Sequence, residues 1–232
     1  MLPHLTRLGT AALDLLFPSR CLGCGKEGSL ICPTCRDKLP AITPPVCHRC
    51  GTPQPSNELC SACLNHRHDI DGIRSPFRFE GVIRRAVHQL KYNNLRHMAG
   101  SLAGLLGDYL SANPIPGEVL VPVPLHPRRL RERGYNQSHL LAKKLCRLAG
   151  LPVMADCISR KRQASPQTKT ASANQRRNNV AGAFICRGSL KGKKIILIDD
   201  VATSGATLDA CAAALKSAGA ASVWGLTIAR EV

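Results

Sequence analysis

Two clusters of residues have types and spacings that can do chemistry. The first, Lys194 to Leu208, reads KIILIDDVATSGATL. Ile195, Ile196, Leu197 and Ile198 form an apolar run typical of a buried strand, and two carboxylates, Asp199 and Asp200, follow where that strand is expected to surface. Ala202, Thr203, Ser204, Gly205, Ala206 and Thr207 then supply a small, hydroxyl-bearing loop ahead of a helical pattern. Backbone amides and the positive end of a helix dipole hold a phosphate at such a loop, and only small side chains allow the approach. Carboxylates repel phosphate but accept hydrogen bonds from two adjacent sugar hydroxyls. The order strand, acidic pair, small loop and helix therefore predicts a ribose 5-phosphate site. This segment contains neither GxxxxGK[ST] nor GxGxxG, which sets aside the P-loop and dinucleotide readings for it.

The second cluster is made of cysteines. Eight of the twelve form four CxxC pairs in the first 63 residues: Cys21/Cys24, Cys32/Cys35, Cys47/Cys50 and Cys60/Cys63. Cys146, Cys157, Cys186 and Cys211 lack that spacing. The opening apolar stretch is interrupted by Asp14 and carries no small-residue cleavage site, and no run approaches the ~20 apolar residues of a membrane span. A cytoplasmic protein without membrane insertion is expected, and in a reducing compartment CxxC pairs favour metal over disulfides. Each CxxC knuckle turns two thiolates toward one ion, and two knuckles close a tetrahedral Zn2+ shell with no open position. Two structural zinc ions are expected. The short gaps favour consecutive pairing, Cys21, Cys24, Cys32 and Cys35 for one ion and Cys47, Cys50, Cys60 and Cys63 for the other, while spacing leaves a cross-braced arrangement open.

Charge points to a third feature. The chain carries 32 Lys and Arg against 15 Asp and Glu, a net +17, and residues 120–194 hold 17 basic side chains against only Glu132 and Asp156. Such a field attracts polyanions, nucleic-acid backbone or a phosphate-rich ligand. Aromatic residues make up 3% of the chain, so base stacking is poorly supplied and charge must carry any nucleic-acid affinity. Within the basic stretch, Arg128, Arg129, Arg131 and Arg133 precede Gly134, Tyr135, Asn136 and Gln137, which open a helix. Planar guanidinium forks suit a pyrophosphate group. A further basic loop, with Arg160, Lys161 and Arg162, lies between two expected strands and is placed to close over the site.

The elements that must position these groups follow from periodicity. Leu5 to Leu16 form a short amphipathic helix that Pro18 ends, and His66 and His68 fall in a polar linker and are expected at the surface. Ile73 to Glu80 reads as a strand, followed by helices over Val82–Leu90 and Leu95–Leu110. Strands are expected at Val119–Val123, Ala183–Cys186, Lys194–Ile198 and Ser222–Ala229, with Trp224 in the core, and helices at Ser138–Leu148 and Leu208–Ala218. This alternation predicts an α/β fold, a parallel sheet with helices on both faces, whose ligands lie beyond the carboxyl ends of the strands.

Residues 194–208 resemble the phosphoribosyl pyrophosphate (PRPP) binding motif of type I phosphoribosyltransferases. Taken with the PxPL of residues 122–125, the RGYNQ of residues 133–137 and the CxxC pairs, the chain resembles the ComF family over nearly its whole length. The resemblance implies an N-terminal helix over residues 1–20, a double zinc ribbon over 21–65 and a type I phosphoribosyltransferase-like domain over 70–232. It implies that Asp199 and Asp200 hold the ribose hydroxyls, that Thr203 to Thr207 hold the 5-phosphate, and that the Arg128–Arg133 segment meets pyrophosphate. Mg2+ would come with PRPP, held chiefly by pyrophosphate oxygens and water. The family is linked to DNA uptake in natural competence, which implies single-stranded DNA and DNA-uptake proteins as partners. Two functions compete on these residues: a PRPP-binding protein of DNA uptake, and a Mg-dependent phosphoribosyltransferase acting on an unidentified nucleophile. No nucleobase pocket is marked in the sequence.

Overall fold

The computed structural model describes residues 19–92, 98–161 and 182–232. The expected N-terminal helix, the first turn of the helix expected from Leu95, and the basic loop from Arg162 onward lie outside the described residues. Two short helices belong to the cysteine knuckles, α1 (Pro33–Arg36) and α2 (Ser61–Leu64). The body then runs β1 (Gly72–Arg74), β2 (Phe77–Arg78), α3 (Gly81–Tyr92), α4 (Met98–Ala112), β3 (Val119–Pro122), α5 (Pro127–Arg133), α6 (Gln137–Ala149), β4 (Ile158–Arg160), β5 (Phe184–Cys186), β6 (Lys194–Ala202), α7 (Ala206–Ser217) and β7 (Ser222–Arg230).

The main sheet is parallel, in the order β1-β7-β6-β3, with β2 also pairing β7. Residues 73–80 do not form one strand, because Pro76 interrupts the segment where a ladder donor would be needed. Alternation along β6 explains its continuous apolar run. Ile196 and Ile198 join Leu90, Leu102, Leu141 and Leu145 in a core made with α3, α4 and α6. Ile195 and Leu197 join Leu208, Cys211 and Leu215 of α7 in the core on the other face. A strand buried on both faces needs apolar side chains at every position, and helices on both faces follow.

Three expectations change in detail. The strand at Phe184–Cys186 is not in the parallel sheet; it pairs antiparallel with β4 as a separate two-stranded ribbon. Phe184 and Ile158 are buried there in the same core as α7, so the ribbon caps that face instead of extending the sheet. Trp224, expected in the core, is only half-buried: it lines a groove of about 750 Å3, with the Arg74 guanidinium 5.0 Å from its ring. The third change concerns the acidic pair and bears on the site.

The ribbon module is joined to the sheet by main-chain bonds. Ile73 N donates to Arg49 O at 2.6 Å, Ile42 N to Pro76 O at 2.8 Å and Arg78 N to Pro40 O at 2.8 Å. Gly51 makes the closest approach, with φ +73° and a position where a Cβ would stand 2.5 Å from Ile73 O. Only glycine fits such a crossing.

Candidate functional site

In the ribbon module, each set of four sulfurs converges with all ligand atoms within 4.8 Å of one another: Cys21, Cys24, Cys32 and Cys35 in one set, Cys47, Cys50, Cys60 and Cys63 in the other. The grouping is consecutive, not cross-braced. Zn–S bonds of about 2.3 Å in a tetrahedron require S···S edges of roughly 3.8 Å. Cys24 Sγ to Cys32 Sγ and Cys50 Sγ to Cys60 Sγ are both 3.7 Å, so the donor sets fit Zn2+. The two sites are built alike: Cys32 N donates to Cys21 Sγ at 3.3 Å, and Cys60 N donates to Cys47 Sγ at 3.4 Å. Burial works to raise both of these thiols, but the converging N–H donors outweigh it and bring Cys21 and Cys47 down to about 6. Cys35 moves the other way, pushed up to about 12 by burial and by its three sulfur neighbours. Four crowded thiolates need a divalent cation to coexist.

The second site lies at the carboxyl end of β6. Asp199 and Asp200 do not follow the strand; they are inside it, with Asp199 registered against Thr227 and Ala202 against Arg230. The nine-residue partner β7 supplies a ladder past Ile198, so the backbone stays extended through both acids. Asp199 Oδ1 accepts from Ser138 Oγ at 2.8 Å and from Asp200 N at 2.9 Å. Burial and the adjacent Asp200 carboxylate push Asp199 up to about 7 against the opposing pull of the Ser138 hydroxyl, the Asp200 amide and Lys91. Asp200 is 3% exposed; its Oδ1 pairs with Lys91 Nζ at 3.0 Å, while its buried Oδ2 has no hydrogen-bond partner among the described residues.

Beyond Ala202 the chain turns through Thr203 and Ser204 to Gly205, which caps α7 with φ +75°. A Cβ there would also stand 2.9 Å from Ile73 Cδ1, so the loop is held tight by a residue without a side chain. Ser204 Oγ lies 3.4 Å from Ala206 N, and Thr207 sits in the first turn. The start of this twelve-residue helix, a few residues after the buried carboxylates, is where the sequence predicts a phosphate cradle.

The RGYNQ stretch explains how distant elements meet this cradle. Residues 127–133 form a helix, not a loop: His126 Nδ1 accepts from Arg128 N at 3.2 Å at its start, and Gly134, φ +75°, closes its end. Asn136 then caps α6, accepting from Ser138 N at 3.0 Å and donating to Val123 O at 3.0 Å, which sets Ser138 beside Asp199. Tyr135 donates its hydroxyl proton to Leu90 O, fixing the end of α3 that carries Lys91. One turn of helix now sorts the arginines. Arg129 and Arg133 line a recess of about 390 Å3 with Lys91, Tyr92, Tyr135 and Glu132, whereas Arg128 does not line it and is paired with Glu132 at 2.8 Å. Arg133 lies over the Tyr92 ring at 5.3 Å and donates to Gln137 Oε1 at 2.5 Å. Arg131 is exposed and does not line the recess. Arg160 belongs to β4, half-buried over Phe184 at 5.4 Å, with Lys161 exposed after it. Partial burial, then the fields of Arg160, Arg129, Arg131 and Arg128, lower His126 below its ordinary value.

Sequence reasoning missed Lys91, Ser138 and His68. Lys91 follows the buried stripe Ile83, Val87 and Leu90, and a cation continuing an apolar face is a readable signal. Ser138 has none. His68, expected at the surface, has a side chain only 9% exposed, and its Nδ1 is 3.6 Å from Asp209 Oδ2.

Comparison with known proteins follows the same division of the chain. Residues 12–64 match the double zinc ribbon domain and residues 135–230 the phosphoribosyl transferase domain. The competence protein ComFC of Bacillus subtilis is 32% identical over 214 residues, covering 89% of this chain and 86% of that protein. The chain belongs to the ComF family. A second relative of this ComF chain is the DNA utilization protein YhgH of Escherichia coli O157:H7, 30% identical over 90% of this chain and 96% of that one. Among solved structures, a purine phosphoribosyltransferase from Pyrococcus horikoshii aligns at 18% identity and a TM-score of 0.36, over 56% of this chain and 71% of that one. In this ComF chain no described helix is long and apolar enough to cross a membrane.

Proposed function

We propose that this chain binds PRPP with Mg2+ at the carboxyl end of β6 and acts in DNA uptake, engaging single-stranded DNA through its basic surface. The observation that carries the reading is the convergence on one place of the Asp199/Asp200 pair, the Thr203–Thr207 cradle and a recess lined by Lys91, Arg129 and Arg133. The carboxylates suit the two ribose hydroxyls, the cradle the 5-phosphate, and the cationic recess the pyrophosphate. Carboxylate oxygens, one of them Asp200 Oδ2, which has no partner among the described residues, are hard donors that fit Mg2+ or its water shell. When bound, Mg2+ would neutralise pyrophosphate charge.

The DNA role is supported by the names of the relatives, a competence protein and a DNA utilization protein, and by charge beyond what one PRPP uses. Arg131 and Lys161 stay exposed outside the recess, as does Arg128 in its pair with Glu132, and all three can meet a phosphate backbone. PRPP and an oligonucleotide therefore bind together, and DNA affinity falls steeply with salt because counterion release carries it.

Calorimetry with PRPP and Mg2+ tests the first half. Asp199→Asn combined with Asp200→Asn lowers affinity at least tenfold in a folded protein; unchanged affinity would make the acidic pair structural. Fluorescence titration of a labelled oligonucleotide at several salt concentrations tests the second, and absence of binding at low salt would remove the DNA role.

A further inference from the structure

A cavity of about 320 Å3 lies between the second ribbon, whose Cys50, Cys60 and Cys63 form part of its wall, and the start of α7. Ser204, Gly205 and Ala206 of the phosphate loop form one edge, Ile70 and Ile73 give apolar wall, and Arg49 and Arg230 are its cations. Arg230 is the last residue of β7 and is 5% exposed. Its Nε donates to Thr52 Oγ1 at 2.7 Å, but its buried Nη1 has no hydrogen-bond partner among the described residues. A guanidinium withdrawn from water is costly unless an anion meets it.

The neighbouring groups do not meet that need. Thr52 Oγ1 is 3.1 Å from Cys50 Sγ, and a hydroxyl that accepts from Arg230 gives its own proton to the sulfur. Thr52, not Arg230, thus serves the zinc-site thiolate. Asp209, the carboxylate on the cavity wall, is already engaged: Oδ1 accepts from Asp69 N at 2.8 Å and Ile70 N at 3.0 Å, and Oδ2 faces His68. What remains is unsatisfied cationic donor capacity beside apolar wall, next to the phosphate cradle.

We infer that this cavity binds a small carboxylic acid with a ring-sized apolar body, its carboxylate on Arg230 and Arg49 and its ring on Ile70 and Ile73. The inference deepens the proposed function by naming the class of a second ligand beside PRPP, and it rests on that reading only for what occupies the adjoining loop. Size agrees: the cavity is at the lower end of small-molecule sites, of roughly 300–1,000 Å3.

The test uses the full, zinc-loaded chain and three probes: benzoate, its neutral isostere benzamide, and inorganic phosphate. Methyl carbon–proton spectra report the ring directly. Benzoate shifts the Ile70 and Ile73 methyl signals saturably and at least tenfold more tightly than benzamide, and Arg230→Gln lowers that affinity at least tenfold while metal analysis still finds two zincs. If Arg230→Gln does not fold, Arg49→Gln gives the second reading, with a loss of at least threefold expected. Benzoate no tighter than benzamide, affinity indifferent to both arginines, or displacement of benzoate by phosphate would overturn the inference, the last by making the cavity part of the phosphate cradle. PRPP titration of the same samples separates the two readings. Benzoate binding without PRPP binding would contradict only the ribose 5-phosphate site, and the converse would contradict only the acid site.

Discussion

The second ribbon and the carboxyl end of β6 are neighbours built on opposite plans. In the ribbon, the polar atoms answer one another: four sulfurs close on one point, Cys60 N bonds to Cys47 Sγ, and Thr52 lies against Cys50 Sγ. At the end of β6, two acids share a crowded space, Asp199 is pushed up to about 7, and Asp200 Oδ2 has no partner among the described residues. The ribbon is complete once its cation is present, so it serves the fold. The strand end carries unfavourable burial of charge that the proposed ligand would relieve, which makes it a candidate binding site. Breaking the first should cost structure, and breaking the second should cost binding.

The largest effect is expected in the ribbon. Cys47→Ser should lower zinc from two equivalents to one and remove on the order of 5 kcal/mol or more of stability, since a structural zinc contributes most of the folding energy of so small a module. Metal analysis with chemical denaturation checks it, with Cys146→Ser, outside both clusters, as the control. A folded chain with undiminished stability after losing that zinc would erase the contrast.

Next comes the acidic pair. Because Asp199 is raised above its unfolded value of 3.8, the folded state holds a proton that the unfolded state has released, and this group's contribution to stability falls as pH rises from about 4 to about 7. Asp199→Asn removes that dependence. The variant should therefore gain on the parent protein across this window, by on the order of 4 kcal/mol at most, in urea titrations at fixed free zinc. A constant difference between the two proteins would mean that Asp199 is not held up.

The smallest effect sharpens the site itself. Arg129→Gln and Arg133→Gln should each weaken PRPP binding about tenfold, the worth of a charge-assisted bond, while Arg128→Gln and Arg131→Gln stay within about twofold. Calorimetry of the four variants decides it, and four equal losses would mean that diffuse charge, not the recess, holds pyrophosphate.

Legibility in the sequence follows the same division. CxxC spacing is local, so the eight ligands are evident from the sequence alone, and only their partition between two ions depends on how the knuckles fold together. The apolar run Ile195–Ile198 likewise announces a strand buried on both faces. The continuation of β6 through Asp199 to Ala202 is invisible locally because β7, which follows only after the whole of α7, supplies the ladder. Ser138 and Lys91 reach the acids only through the caps and the Tyr135 bond that RGYNQ provides, contacts spanning 45 to 61 residues. The division of the four arginines is set by one turn of helix, which a segment rich in charge and bounded by His126 and Gly134 conceals.

The claim that the end of β6 is a ribose 5-phosphate site is most directly tested by titrating the full, zinc-loaded chain with ribose 5-phosphate and following backbone amide signals. Such a site requires that Thr203 to Thr207 shift together and saturably, that Ser138 follows as the Asp199 hydrogen bond is redrawn, and that Asp199→Asn with Asp200→Asn abolishes the response while the ribbon signals stay in place. Shifts confined to the exposed arginines, or a response that survives the double substitution, would contradict it.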